Sequence, residues 1–213
     1  MEGGLEVVIP RGFDRAYIPE ILEKKRAWIK RTTKRIEERR MYLAAEPVLP
    51  EQVSLLAIGE IWQVEYRPTA SRRITVTEKS DHCLVLSGAV TDIKLCQTSL
   101  RKWIAGKAKQ HLEPWLREIS ATENLIFTRV TIRGQKTRWG SCSARKTISL
   151  NYKLLFLPPE LVRYVFIHEL CHTRHLNHSA KFWALVGQKE PNYRRIQAEL
   201  RAAWRYLPAW LQH

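Results

Sequence analysis

Methionine and cysteine are both scarce in this chain of 213 residues, with two of the first and four of the second. The cysteines, Cys83, Cys96, Cys142 and Cys171, include no CxxC pair and no close-set secreted framework. Structural disulfides are therefore not expected, and reduced thiols in a cytoplasmic protein are. No run approaches about 18 uninterrupted apolar residues, so no membrane-spanning segment is expected. The opening MEGGLEVVIP has neither the basic n-region nor the long apolar h-region of a signal peptide. Acidic side chains are also few, 21 against 36 basic ones, for a formal charge of +15. The imbalance is local. Residues 24–40 carry +7, residues 101–111 carry +4, and residues 129–146 carry +6 without a single acid. Such blocks suit contact with a polyanion (nucleic acid, nucleotides or an acidic surface), or else form solvated basic faces.

What is present points to a packed core: 45% apolar residues and eight tryptophans. A single α+β domain over 1–213 is expected, with a strand and a long basic helix in 1–46 and a sheet and catalytic core in 58–206. Leu5–Pro10 reads as a strand, and Pro19 opens a helix running to about Leu43 whose face carries the first basic block. Pro47–Pro50 reads as a break. Ile58–Tyr66, Arg73–Glu78 and Cys83–Ser87 read as strands of an antiparallel sheet. A helix over Leu100–Ile119 follows, with a break or kink expected at Pro114. Leu125–Arg133 and Thr147–Tyr152 read as two further strands around KTRWGSCSARK. Pro159–Leu176, Ser179–Gly187 and Tyr193–Tyr206 read as three closing helices.

The stretch HELCHTRHLNHSAKFW, residues 168–183, holds four histidines within eleven positions. His168 and His172 are four apart and share a helix face, with Cβ atoms roughly 5–6 Å apart. That bite suits a metal held at about 2.0–2.1 Å from each imidazole nitrogen. Glu169 follows the first histidine, where a carboxylate can take a proton from an attacking water without ligating the metal. By chance HExxH would arise in about 2% of chains of this composition, so the context matters. The preceding helix is strongly apolar, as expected behind an active site.

The third ligand is open among three choices. His175 stays on the helix face but lies about 10 Å along the axis from His168 at a rise of roughly 1.5 Å per residue. His178 can return to the metal if the chain turns near Asn177, with Ser179 capping the next helix, and this is the favoured reading. Glu190 or Glu199 from a following helix is the third choice. Three protein ligands leave a position open for water, which marks a catalytic site more than a structural one. Cys171 points away from the histidine pair and is read as core. The spacing to His178 matches HExxHxxGxxH sites, but those enzymes carry a methionine turn downstream of the third ligand. Met1 and Met41 both lie far upstream, so this chain is not of that kind.

Taken together, TRWGSCS (137–143), ISLNYKLLFLPPELVRYVFIHELCH (148–172) and NHSAKFW (177–183) resemble the YgjP-like metallopeptidase domain, a family related to SprT-type zincins. EVVIPRGF, KKRAWI and YRRIQAEL resemble its opening and closing elements. The resemblance implies a zincin-like fold, with an antiparallel or mixed sheet packed against an HExxH helix and its edge strand beside that helix. It further implies one zinc ion on His168, His172 and His178, with Glu169 as catalytic acid/base. Arg138 is a candidate for binding a substrate oxygen and Tyr152 for stabilising an oxyanion. The expected activity is hydrolysis of peptides or unfolded protein. The alternatives are a metal-dependent nucleotide phosphohydrolase and a DNA-associated protein related to the SprT type.

Overall fold

The computed structural model describes residues 6–43 and 49–211. They divide into two units, split between Ala44 and Ala45. In the first unit, Glu6–Pro10 forms no strand, contrary to expectation, and Leu5 lies outside the described residues. Gly12, at φ +86°, makes the turn in which the Phe13 amide donates to the Pro10 carbonyl at 3.1 Å. The Asp14 side chain accepts from the Ala16 amide at 2.9 Å, just before helix α1, Ile18–Leu43. Exposed ion pairs, Glu20 with Lys24 and Glu23 with Arg26, decorate that helix. Val7, Val8, Ile9, Phe13, Ile18 and Leu22 line a small apolar cavity in this unit.

The second unit is a mixed α+β structure. Strands β1 (Gln52–Leu55), β2 (Glu60–Pro68), β3 (Thr75–Lys79) and β4 (Cys83–Gly88) form one sheet in the order β1-β2-β4-β3. The antiparallel expectation is corrected here: β2 and β4 run parallel, because β3 pairs on the far side of β4. β4 is central, and Leu84, Val85 and Leu86 are all buried, as a strand covered on both faces requires.

Helix α2, Ile93–Glu123, begins earlier than expected, where the Asp92 side chain accepts from the Leu95 amide. It runs unbroken through Pro114. A proline inside a helix costs about 3 kcal/mol. Pro114 is exposed, while Leu112, Leu116 and Ile119 around it are buried at roughly 1.5–3 kcal/mol each, enough to hold the turn.

Strands β5 (Arg129–Arg133), β6 (Gly140–Cys142) and β7 (Thr147–Asn151) form a second sheet in the order β5-β7-β6. β5 is parallel and β6 antiparallel to β7, so β6, which falls within KTRWGSCSARK where no strand was expected, is an edge strand. Helices α3 (Pro159–Cys171), α4 (Ala180–Lys189) and α5 (Tyr193–Leu200) close the chain. Both α3 and α5 end short of the expected Leu176 and Tyr206; the latter belongs to a separate short 3-10 turn, Ala203–Tyr206. α3 packs against β6, α4 and α5. Among the described residues no helix is long and apolar enough to cross a membrane.

Candidate active site

α3 opens at Pro159, a first-turn position where a missing N–H costs little. Leu161, Val162, Val165, Phe166, Ile167 and Leu170 are all buried, so the helix lies inside the unit. Of its polar side chains, His168 and Glu169 border a cavity of about 220 Å³, together with Arg138, Trp139, Tyr164, Val165 and Leu200. The chain leaves the helix at His172, and the Thr173 hydroxyl donates to the Leu170 carbonyl at 2.7 Å, satisfying one of the exposed end carbonyls. After the turn Ser179 caps α4 by accepting from the Phe182 amide.

That turn brings His178 back to the first two histidines. Ligating atoms of His168, His172 and His178 all lie within 4.8 Å of one another. The Nε2 atoms of His168 and His178 are 3.2 Å apart. Two imidazole nitrogens sharing a tetrahedral zinc sit about 3.3 Å apart, given ligand distances of about 2.0–2.1 Å. The donor set fits such an ion chemically as well. Burial, helped by the charges of His172 and His178, pulls the His168 imidazole down to about 4, and burial also lowers His172. Both rings are thus held in the neutral form that a metal requires. The Nδ1 of His172 faces the His175 carbonyl at 3.0 Å. A carbonyl can only accept, so Nδ1 carries the proton and Nε2 keeps its lone pair.

Aromatic rings fix the rest. Phe182 stacks on His172 at 4.4 Å between ring centres, and Trp183 stacks on His178 at 5.6 Å. Tyr193 backs Trp183 in turn, at 5.5 Å. The sequence reading missed these supports. Phe182 and Trp183 are visible in NHSAKFW, but which histidine each supports depends on the turn.

Glu169 is 6% exposed, and its Oε2 has no hydrogen-bond partner. Burial pushes its carboxyl up to about 8, against the opposing pull of the Arg138 charge. On its other side lies Gly140 of β6. A Cβ built there would stand 2.7 Å from Glu169 Cγ and 2.8 Å from Oε1. The edge strand and the carboxyl are in direct contact, and only glycine leaves room for it.

The remaining predicted residues are distributed as follows. Arg138 borders the cavity. Tyr152 is not among the cavity's lining residues; its ring packs over Gly134, where a Cβ would lie 2.7 Å from Tyr152 Cε1. The His175 side chain stands outside the three-histidine group. Glu190 pairs with Arg163, and Glu199 accepts from the Tyr206 hydroxyl at 2.9 Å. Cys171 is fully buried in the core.

Residues 1–203 match the family model described as YgjP-like, metallopeptidase domain. The match defines a hydrolase of the metallopeptidase class, and such a domain implies a divalent metal. This chain belongs to the YgjP-like metallopeptidase family. Among solved structures it is similar to the metallopeptidase zymogen of Pyrococcus abyssi abylysin. Identity there is 26% over 44% of this chain and 94% of that one, with a TM-score of 0.39. The zymogen of Methanocaldococcus jannaschii jannalysin matches at 24% identity over 42% of this chain and 93% of that one, with a TM-score of 0.38. Among curated proteins none matches the chain.

Proposed function

We propose that this protein is a zinc-dependent peptidase acting on peptides or unfolded protein, with zinc on His168, His172 and His178 and Glu169 as acid/base. The observation that carries this reading is the convergence of three imidazole donors beside one buried carboxyl. When bound, the ion would polarise the scissile carbonyl and make an attacking water more acidic. The protein's own part is positional. His172 is held in the ligating tautomer by the His175 carbonyl, and the rings of Phe182 and Trp183 fix two of the imidazoles. Glu169, seated against Gly140, would take the proton from water and hand it to the leaving amine. The open edge of β6 offers backbone groups to an extended substrate. We take the chain as one working domain, since the family match crosses the division between the two units. Four unpaired thiols support a reducing, cytoplasmic setting.

Cleavage of an unfolded protein should stop when the metal is chelated and return when zinc is supplied. Cleavage that persists without metal, or a folded protein that takes up no zinc, would remove the reading. A subtler expectation concerns Gly140→Ala. The added methyl displaces the Glu169 carboxyl, and a shift of about 1 Å costs up to about 100-fold in rate. Zinc content should stay close to wild type and the melting temperature should fall by only about 2–10 °C, so kinetics and calorimetry on the same preparation separate misplacement from misfolding. Full activity in Gly140→Ala would show that the contact is unimportant.

A further inference from the structure

The cavity beside Glu169 has a composition that the hydrolytic site alone does not explain. At about 220 Å³ it is smaller than the roughly 300–1,000 Å³ of sites for drug-sized ligands, and so is scaled to a single residue. Trp139, Val165 and Leu200 give it apolar walls, and Gly140, Tyr164 and Gln197 complete the lining beside the charged and titratable groups. Arg138 is the one arginine or lysine on its lining. Among the described residues no carboxylate forms a contact ion pair with that guanidinium, although residues 129–146 supply six cations.

The backbone that carries Arg138 is pinned. The buried Asn151 side-chain amide donates to the carbonyls of Gln135 and Arg138, each at 2.8 Å, and the Asn151 backbone amide donates to the Trp139 carbonyl at 2.9 Å. An exposed cation on a clamped segment, lining one cavity with apolar side chains and with Glu169 and His168, is arranged to receive a group that is apolar on one side and anionic on the other.

We propose that this cavity binds the C-terminal residue of a peptide, with an apolar side chain among Trp139, Val165 and Leu200 and the terminal carboxylate on Arg138. The inference rests on the peptidase reading and sharpens it to release of single C-terminal residues. Water adds to the carbonyl carbon of the last peptide bond, and the C–N bond breaks. The hydroxyl stays on the shortened peptide as its new carboxyl, and the remaining proton goes to the amine of the departing amino acid. A nucleoside triphosphate fits this cavity poorly, because it is far larger than a single residue and its polyphosphate outweighs the charge of one guanidinium and one divalent ion together. A single carboxylate meets the paired N–H donors of an arginine directly.

The test uses full-length, zinc-loaded protein and an N-acetylated tetrapeptide ending in leucine, as the free acid and as its amide. Binding is measured by titration calorimetry on Glu169→Gln, which holds the peptide without turnover, and cleavage by mass spectrometry on wild type. The free acid is expected to bind at least about tenfold tighter than the amide, and Arg138→Met should bring that ratio below about twofold. Wild type should release leucine from the acid and leave the amide intact. Equal binding of acid and amide overturns the proposal, as does a preference that survives Arg138→Met or tighter binding of a nucleoside triphosphate than of the peptide acid. If both peptides are cut internally at equal rates, the inference fails while the peptidase reading stands. If acid is preferred through Arg138 yet neither peptide is cut, the subsite stands and the peptidase reading fails.

Discussion

His178→Ala is expected to purify without zinc, whereas His175→Ala keeps about one zinc per chain. Both histidines lie in the same turn, so their different fates follow from which atom of each is used. His178 brings a ring nitrogen within 4.8 Å of those of His168 and His172, and its removal leaves two ligands. Two imidazoles on one helical turn hold zinc far less tightly than three. The loss should exceed the roughly 10–100-fold cost of removing a supporting residue. His175 contributes its backbone carbonyl, which accepts from His172 Nδ1, and alanine retains that carbonyl. Metal analysis of the two variants beside wild type decides the matter. A metal-free His175→Ala together with a loaded His178→Ala would place the third ligand elsewhere.

Glu169→Gln should abolish hydrolysis while leaving both zinc and fold in place. The amide has nearly the same shape, so it fits against Gly140, but it cannot accept a proton from water. General acid–base groups contribute about 10²–10⁴-fold to rate, and a loss in that range is expected. Stability should move the other way or not at all. A buried carboxyl whose folded pKa lies above its unfolded value costs stability once the pH exceeds that unfolded value. The unfolded chain then ionises freely and the folded one does not. Without metal, burial pushes Glu169 up to about 8, so near neutral pH the metal-free wild type carries this cost and the metal-free glutamine variant does not. A bound divalent cation instead favours the ionised carboxylate that acts as base. Compared metal-free, the variant should therefore melt no lower than wild type. Activity within tenfold of wild type would deny Glu169 the role of base.

Much of the candidate site could be read from the chain because its parts are close in sequence. The i, i+4 histidine pair depends only on helical geometry, and the turn that returns His178 is signalled by Asn177 and the capping serine. The edge strand was hidden because β6 has only three residues, Gly140–Cys142, too few for an alternating pattern to register. Its contact with Glu169 joins segments 29 positions apart in the chain, and no periodicity encodes such a pairing. The parallel pairing of β2 and β4 had a partial signal. The run Cys83-Leu84-Val85-Leu86 lacks the alternation of a half-exposed strand and points to a central position. It does not tell which strand lies on either side. Pro114 misled for a related reason: local propensity argued for a break, and burial of the neighbouring leucines outweighed it.

The contact between Gly140 and Glu169 bears on which copies of the protein can act. The three histidines that converge all lie within residues 168–178, on a helix end and the turn after it, but the Glu169 carboxyl lacks its seat until the edge strand has docked. β6 is emitted before the helix yet joins the sheet only through β7, and β7 leads into the helix itself. A chain that has lost this docking through damage would keep the three histidines while the Glu169 carboxyl goes unpositioned. The arrangement of the site is thereby tied to completed tertiary structure, and a damaged copy that has lost it would pose little danger to its neighbours.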